Sequence, residues 1–314
     1  MYSSGSYGFS NPDSIAADGT DIWVANVAGG ANGRGSVTEL NADDGSLVRT
    51  LSGSDYGFAG PEGIAVDGTH VWVTNVGGGA NENGSVTELN ADDGSLVRTL
   101  SAAGYGFNGP WGIASDGTRV WIANYGHPGI GHSVTELNAS NGSLVRTISG
   151  FKYPVSVAVE GSHVWIANGD SLTELNADNG HRMLTLSGSS YGFNGIQAIA
   201  AGGPYVWAAN YGGGAGGNGS VTEVSASNGS LVRILSDASY GFANPQGITV
   251  DGTDVWIASN FDSVIEVNAS NGSLVQTLSG ASYGFDNPWA IAVDGTHLWV
   301  ANHAGNSVTE FPTG

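Results

Sequence analysis

Short apolar stretches alternate with turns along the whole chain, and the alternation repeats. In the copy from Gly63 to Leu100, the apolar Ile64-Ala65-Val66 is followed by an Asp67-Gly68-Thr69 turn and then by Val71-Trp72-Val73-Thr74-Asn75. After a glycine-rich connection come Ser85-Val86-Thr87-Glu88-Leu89, an Asn90-Ala91-Asp92-Asp93-Gly94 turn and Leu96-Val97-Arg98-Thr99-Leu100. The runs are too short for helices and carry β-branched residues at period two, so they predict four antiparallel strands, A to D, joined by tight hairpins. Asp-Gly between apolar runs marks the A–B hairpin, because glycine tolerates positive φ and aspartate bonds its own backbone.

Tryptophan marks seven such copies, at Trp23, Trp72, Trp121, Trp165, Trp207, Trp256 and Trp299, with spacings from 42 (Trp165 to Trp207) to 49 (Trp23 to Trp72). A four-stranded unit of this length has two apolar faces that only neighbouring units can cover. The pattern therefore predicts an all-β fold, a seven-bladed β-propeller of four-stranded antiparallel blades forming a single domain over residues 1–314. The last copy ends at Phe311 to Gly314, just after strand C. Met1-Tyr2-Ser3-Ser4-Gly5 aligns with Thr50-Leu51-Ser52-Gly53, so the N-terminal segment is expected to supply the missing outer strand through two or three pairs, the weakest seam of the ring.

Composition agrees with turn-rich β structure: 52 glycines, 40% hydrophobic residues and no cysteine among 314 residues. Lacking cysteine, the chain has no disulfides, thiolate chemistry or Cys-ligated zinc. A net charge of −20 with one lysine, Lys152, argues against nucleic acid as a partner. No apolar run of about 18 residues predicts a membrane span, and no signal-peptide pattern is read at Met1. Low charge density with abundant Gly, Ser, Thr and Asn suggests a secreted or extracellular protein, expected as a monomer.

Repeated residues read as structure. The tryptophans are expected to wedge against the next blade, and the Tyr-Gly-Phe motifs beginning at Tyr7, Tyr56, Tyr105, Tyr191, Tyr240 and Tyr283 to anchor interblade connections. The glutamates Glu39, Glu88, Glu136, Glu174, Glu223, Glu266 and Glu310 are expected in solvated ion pairs with hairpin arginines such as Arg49 and Arg98. Asn41-Ala42-Asp43-Asp44-Gly45 lacks the distal glutamate of a calcium loop and reads as a turn.

Departures from the repeat carry the functional signal. The B–C loops vary from Gly169-Asp170 to the long Tyr211–Gly219 stretch, and they share a face with the D–A connections, so a site belongs there. The first residues of the A strands should ring the channel mouth, and they differ blade by blade: Asp13, Glu62, Trp111, Val155, Gln197, Gln246 and Trp289. Packing is the same in every blade, which leaves Trp111 and Trp289 open to ligand stacking or channel plugging. Asn124 and its equivalents end the B strands, either satisfying loop backbone or meeting a polar ligand. Tyr125, Tyr211, Phe261 and His303 follow them, and with Trp111, Trp289 and Gln246 they compose an acid-edged aromatic bowl suited to a sugar or a small amphiphilic ligand. His127 and His132 flank Pro128-Gly129-Ile130-Gly131 in the third B–C loop. For chemistry, Glu62 or Asp13 would serve as base and His127 or His303 as acid.

The phrase Pro-x-Gly-Ile-Ala-Val-Asp-Gly-Thr-x-Val-Trp-Val-Ala-Asn followed by Gly-Ser-Val-Thr-Glu-Leu-Asn-Ala resembles the NHL and YVTN-type propellers, in particular the streptogramin lyase-like group. That resemblance covers essentially the whole chain and implies the propeller fold. It also implies a choice among lyases, lactonases, peptide or glycan binders and scaffolds. Lyases of that group use a histidine and an acidic partner with magnesium, whereas His70, His163 and His297 here sit at the A–B hairpins, on the opposite face. The leading expectation is a non-catalytic recognition or scaffold propeller for a glycan, peptide or cell-surface polymer, without cofactor. The alternative is a lyase or hydrolase of a cyclic ester or polysaccharide, with magnesium or calcium as the ions such chemistry would recruit.

Overall fold

The computed structural model of the protein describes residues 1–79, 82–101, 103–126 and 132–313. These form seven four-stranded antiparallel sheets, and within six of them the strands follow in chain order from innermost to outermost. In the first, Pro12–Ala17, Asp21–Asn26, Ser36–Asn41 and Leu47–Leu51 run in that order. The seventh combines Pro288–Val293, His297–Asn302 and Ser307–Pro312 with Tyr2–Ser3 from the other end of the chain. Closure uses two pairs, Tyr2↔Val308 and Ser3↔Ser307, as the repeat alignment predicts. The Tyr2 ring strengthens this short seam by stacking on Trp299, with centroids 6.0 Å apart. Among the described residues, helix is confined to one turn at Ser4–Tyr7 and short 3₁₀ turns such as Ser54–Tyr56.

Seven apolar clusters lie between blades, each built on a tryptophan from one blade and the sheet of the next. Trp207, for example, packs with Phe242, Val255, Ile257 and Val267. Trp299 of the last blade packs with Phe9, Ile22 and Val24 of the first, which closes the circle. Six Tyr-Gly-Phe motifs stack their two rings almost in parallel, at 5.3 to 5.8 Å.

Polar groups inside these walls are bound into a repeated framework. Asp67 Oδ1 accepts the N–H groups of Thr69 and His70, and its Oδ2 accepts the Trp72 indole N–H at 3.2 Å. The turn aspartate thus shapes the hairpin and holds the wedge, and Asp251–Trp256 and Asp294–Trp299 repeat the contact. Asn75 Oδ1 accepts the Ala59 N–H, while its Nδ2 donates to Thr87 Oγ1, whose hydroxyl donates to the Tyr56 carbonyl.

The repeated glutamates depart from expectation. Glu88, Glu136 and Glu223 are fully buried and Glu39 nearly so, instead of solvated. Each lies directly across from a tryptophan, as in Trp72↔Glu88, on a strand whose two faces are both covered by blades. The arginines do come to them: Nε of Arg98 is 2.9 Å from Glu88, and that of Arg233 is 2.8 Å from Glu223. Burial of the carboxylate outweighs the arginine and pushes Glu39 and Glu223 up to about 7.

Candidate functional site

The inner strands enclose a central cavity of about 190 Å³, lined by three consecutive residues from each blade. At its rim stand Asp13, Glu62, Trp111, Val155, Gln197, Gln246 and Trp289, the residues that break the repeat. Each is the second residue of its strand, not the first, and each sits where the A–B register slips, between Pro12 and Ser14 in the first blade and between Pro245 and Gly247 in the sixth. Such a bulge leaves a residue out of the ladder and re-aims its side chain. Seven bulges therefore turn seven side chains to the axis.

The bulge forces the blades close together. A Cβ on Gly63 would stand 2.3 Å from the Trp111 carbonyl oxygen, and one on Gly112 would stand 2.4 Å from that of Val155. Thr74 completes the junction: its hydroxyl accepts the Gly63 N–H at 2.8 Å and donates to the Trp111 carbonyl at 2.6 Å. The other six blades lack this hydroxyl, since Ala25, Ala123, Ala167, Ala209, Ala258 and Ala301 occupy the equivalent position. Thr74 thus ties the Glu62 bulge to the Trp111 bulge.

Asp13 and Glu62 meet at the rim. Glu62 is pushed up to about 9, first by burial and then by the neighbouring Asp13 carboxylate, with which it shares a hydrogen bond. The pair therefore keeps a proton above the ordinary carboxylate range. His303 joins from the last B–C loop, with Nδ1 3.1 Å from Asp13 Oδ1 but outside hydrogen-bond geometry, and its ring packs on Trp289 at 5.2 Å. Asn11 holds the far side of the imidazole, 3.4 Å from Nε2. The two carboxyls and His303 are the ionisable groups gathered here, and among the described residues no three histidines or acids converge as a metal ligand set.

On the other side of the acid pair an aromatic shelf leads away from the cavity. Trp111 contacts Tyr125 at 5.5 Å, Tyr125 contacts Tyr153 at 5.6 Å, and Tyr153 meets the edge of the His132 ring at 4.5 Å. Tyr153 and Tyr125 are both exposed. Tyr153 also has a φ of 55°, in the left-handed region. The matching residues of the other blades are Asn11, Gly60, Gly109, Gly195, Asn244 and Asn287, all with positive φ and all of the types that tolerate it.

Of the residues singled out from sequence, the structure brings Asp13, Glu62, Trp111, Gln246 and Trp289 to the cavity, and sets Tyr125 and His303 against its two tryptophans. Asn124 is fully buried behind them, its amide donating to Ser133 and Thr135 and its Oδ1 accepting the Asn108 N–H, so it presents no surface to a ligand. Tyr211 and Phe261 are exposed on the same face, but among the described residues neither makes a ring contact with the shelf or lines the cavity. His127 lies outside the described residues. Tyr153 and Thr74 were not singled out from sequence, although both break the repeat.

Comparison with solved structures gives the fold. A chain of the Kuenenia stuttgartiensis hydrazine synthase structure is similar to this one with a TM-score of 0.78, over 100% of this chain and 99% of that one, at 16% identity. A likeness at that identity speaks for the propeller and not for its chemistry. No family model matches the chain, and no curated protein matches it.

Proposed function

We propose that the protein is a secreted recognition propeller that binds a glycan at the loop-rich mouth of its central channel. One observation carries this reading: seven bulges with a common backbone geometry present seven side chains that follow no common pattern. The mix of indole faces, carboxyls and carboxamides suits a sugar, whose apolar faces stack on aromatic rings while its hydroxyls bond to amides and acids. A cavity of about 190 Å³ is smaller than the roughly 300–1,000 Å³ of drug-sized pockets, so it admits one sugar unit. The shelf of Trp111, Tyr125 and Tyr153 gives the rest of an oligosaccharide a surface to lie on. A glycan array followed by calorimetry tests the reading, with binding expected to fall at least tenfold in Trp111→Ala (about 1.4 kcal/mol). Absence of binding to every sugar and cell-wall polymer on the array would refute it.

A second reading is favoured by the Asp13–Glu62 pair. A protonated carboxyl beside an ionised one is the arrangement general acid–base chemistry uses, and His303 stands next to it. With the resemblance of the repeats to streptogramin lyase-like propellers, this supports a lyase or hydrolase acting on a cyclic ester or polysaccharide. Turnover of a lactone and uronide panel, lost in Glu62→Gln, would establish it. An inert panel would leave recognition alone.

A further inference from the structure

The mouth is lopsided. Trp289, Asp13, Glu62 and Trp111 follow one another on the seventh, first, second and third blades, while Val155, Gln197 and Gln246 form the facing arc. Among the described residues, Asp13 and Glu62 are the only ionisable side chains that line the cavity, and no arginine or lysine lines it to neutralise them. Lys152 is exposed beside Tyr153 and does not line it either. His303 reaches Asp13 alone, outside hydrogen-bond geometry. Across from the acids, Gln246 is only 6% exposed, lines the same cavity, and has no hydrogen-bond partner among the described residues. Its carboxamide atoms open onto the cavity, where a ligand can bond to them.

We propose that the group bound in this mouth is a primary ammonium, carried on an amino sugar, held by the Asp13 and Glu62 carboxylates between the Trp289 and Trp111 indoles. The inference rests on the glycan reading and narrows it to a class of sugar. An ammonium has three donors and no acceptor, and the mouth offers three matching acceptors in the two carboxylates and the Gln246 carboxamide oxygen. Indoles on both flanks favour a cation over their faces. A net charge of −20 draws cations toward the ring and repels acidic sugars, which would set a second negative charge against the one the acid pair already carries.

Binding should also move a proton. The empty mouth keeps a proton on the acid pair because burial and the Asp13 carboxylate oppose ionisation of Glu62. An ammonium reverses that balance, so the pair gives its proton to the buffer as the cation takes its place. The groups that bear on this titration are Asp13 on the adjoining inner strand and His303 on the loop above it; the other neighbours of Glu62 around the rim are not ionisable.

Calorimetry on the whole chain near neutral pH tests the inference with four probes: a glucosamine tetrasaccharide, its N-acetylated counterpart, cellotetraose and butylamine. The glucosamine oligomer is expected to bind about tenfold or more tighter than the two neutral sugars, the margin of one charge-assisted bond. Its apparent heat should differ between buffers of unlike ionisation enthalpy, reporting release of a proton. The double variant Asp13→Asn with Glu62→Gln, checked for an unchanged melting transition, should bind all three sugars alike. Equal affinity for the three sugars in the wild type, or a preference that survives in the double variant, would overturn the ammonium inference and leave the glycan reading standing. Butylamine binding with no sugar binding would support the ammonium site and overturn the glycan reading. Silence from all four probes overturns both.

Discussion

The walls between the blades and the mouth of the channel are built from the same strands under opposite rules. Each wall repeats one solution: a tryptophan from one sheet, a phenylalanine from the connection, and Val or Ile from the next sheet. At the mouth, one backbone device carries seven unrelated side chains. A requirement common to all blades selects one residue type, so uniformity marks what the ring needs to close. Variety at a fixed geometry marks what it presents. The sharpest test of the contrast is a matched pair of truncations. Trp207→Ala, at a fully buried wall position, is expected to cost about 3–5 kcal/mol in urea denaturation. Trp289→Ala, half-buried at the rim, should cost about 1 kcal/mol or less and remove ligand affinity instead. Similar losses of stability at the two sites would dissolve the distinction.

A second difference lies in the acids. Glu39, Glu88, Glu136 and Glu223 in the walls and Glu62 at the mouth are all held above the ordinary carboxylate range chiefly by burial, the wall glutamates against the pull of their arginines and Glu62 with the added push of Asp13. A raised folded-state value means that the native protein keeps protons the unfolded chain releases. Their stabilising contribution is then complete below the unfolded value of 4.5 and is lost as pH rises toward about 7. The turn aspartates Asp67, Asp251 and Asp294 go the other way. Burial pushes them up, but hydrogen bonds from backbone N–H groups, threonine hydroxyls and indoles outweigh it, and their contribution fades only below the ordinary aspartate value of 3.8. Between these limits the glutamates decide the slope. Stability should fall by about 2 kcal/mol from pH 5 to pH 8, after allowance for screening by solvent. Glu62→Gln should flatten the profile more than Glu223→Gln, because Glu62 is held further above the ordinary carboxylate range. A profile that rises over this interval would mean that the arginine pairs hold these carboxylates ionised in the folded state.

How far the sequence revealed these regions depended on what repetition could expose. Seven tryptophans at near-constant spacing determine the blade count, and the missing D strand points to closure by Tyr2 and Ser3. The rim residues stood out because every other blade supplied a control for each. Burial of Glu88 did not stand out: Val-Thr-Glu-Leu alternates like a strand with one wet face, and only the assembled ring covers both faces. The bulge was equally hidden, since an extra residue between Pro12 and Ser14 leaves no mark in the pattern of apolar positions. Thr74 and Tyr153 were visible in principle. Thr74 replaces an alanine in a slot that looked degenerate, and Tyr153 replaces a glycine or asparagine in a connection that looked like a plain loop.

Tyr153 sets the smallest effect against the clearest choice between wall and mouth. Its slot demands a left-handed backbone, which costs a side chain with a Cβ about 1–2 kcal/mol relative to glycine, with asparagine among the better-tolerated residues. Three blades meet the demand with asparagine and three with glycine. Only here does the ring accept a bulky residue, and the tyrosine is exposed, its ring contacts among the described residues being with Tyr125 and His132 at the shelf. Strain kept where it adds nothing to the core is characteristic of a residue retained for what it contacts outside. Tyr153→Asn, which copies Asn11, Asn244 and Asn287, should therefore raise stability by about 1 kcal/mol in urea denaturation while weakening oligosaccharide binding by calorimetry. Affinity for a single sugar unit, which the cavity alone would hold, should stay as it was. If the substitution lowers stability, Tyr153 belongs to the framework after all; if it leaves binding of the longer chain intact, the shelf beyond Trp111 is not part of the site.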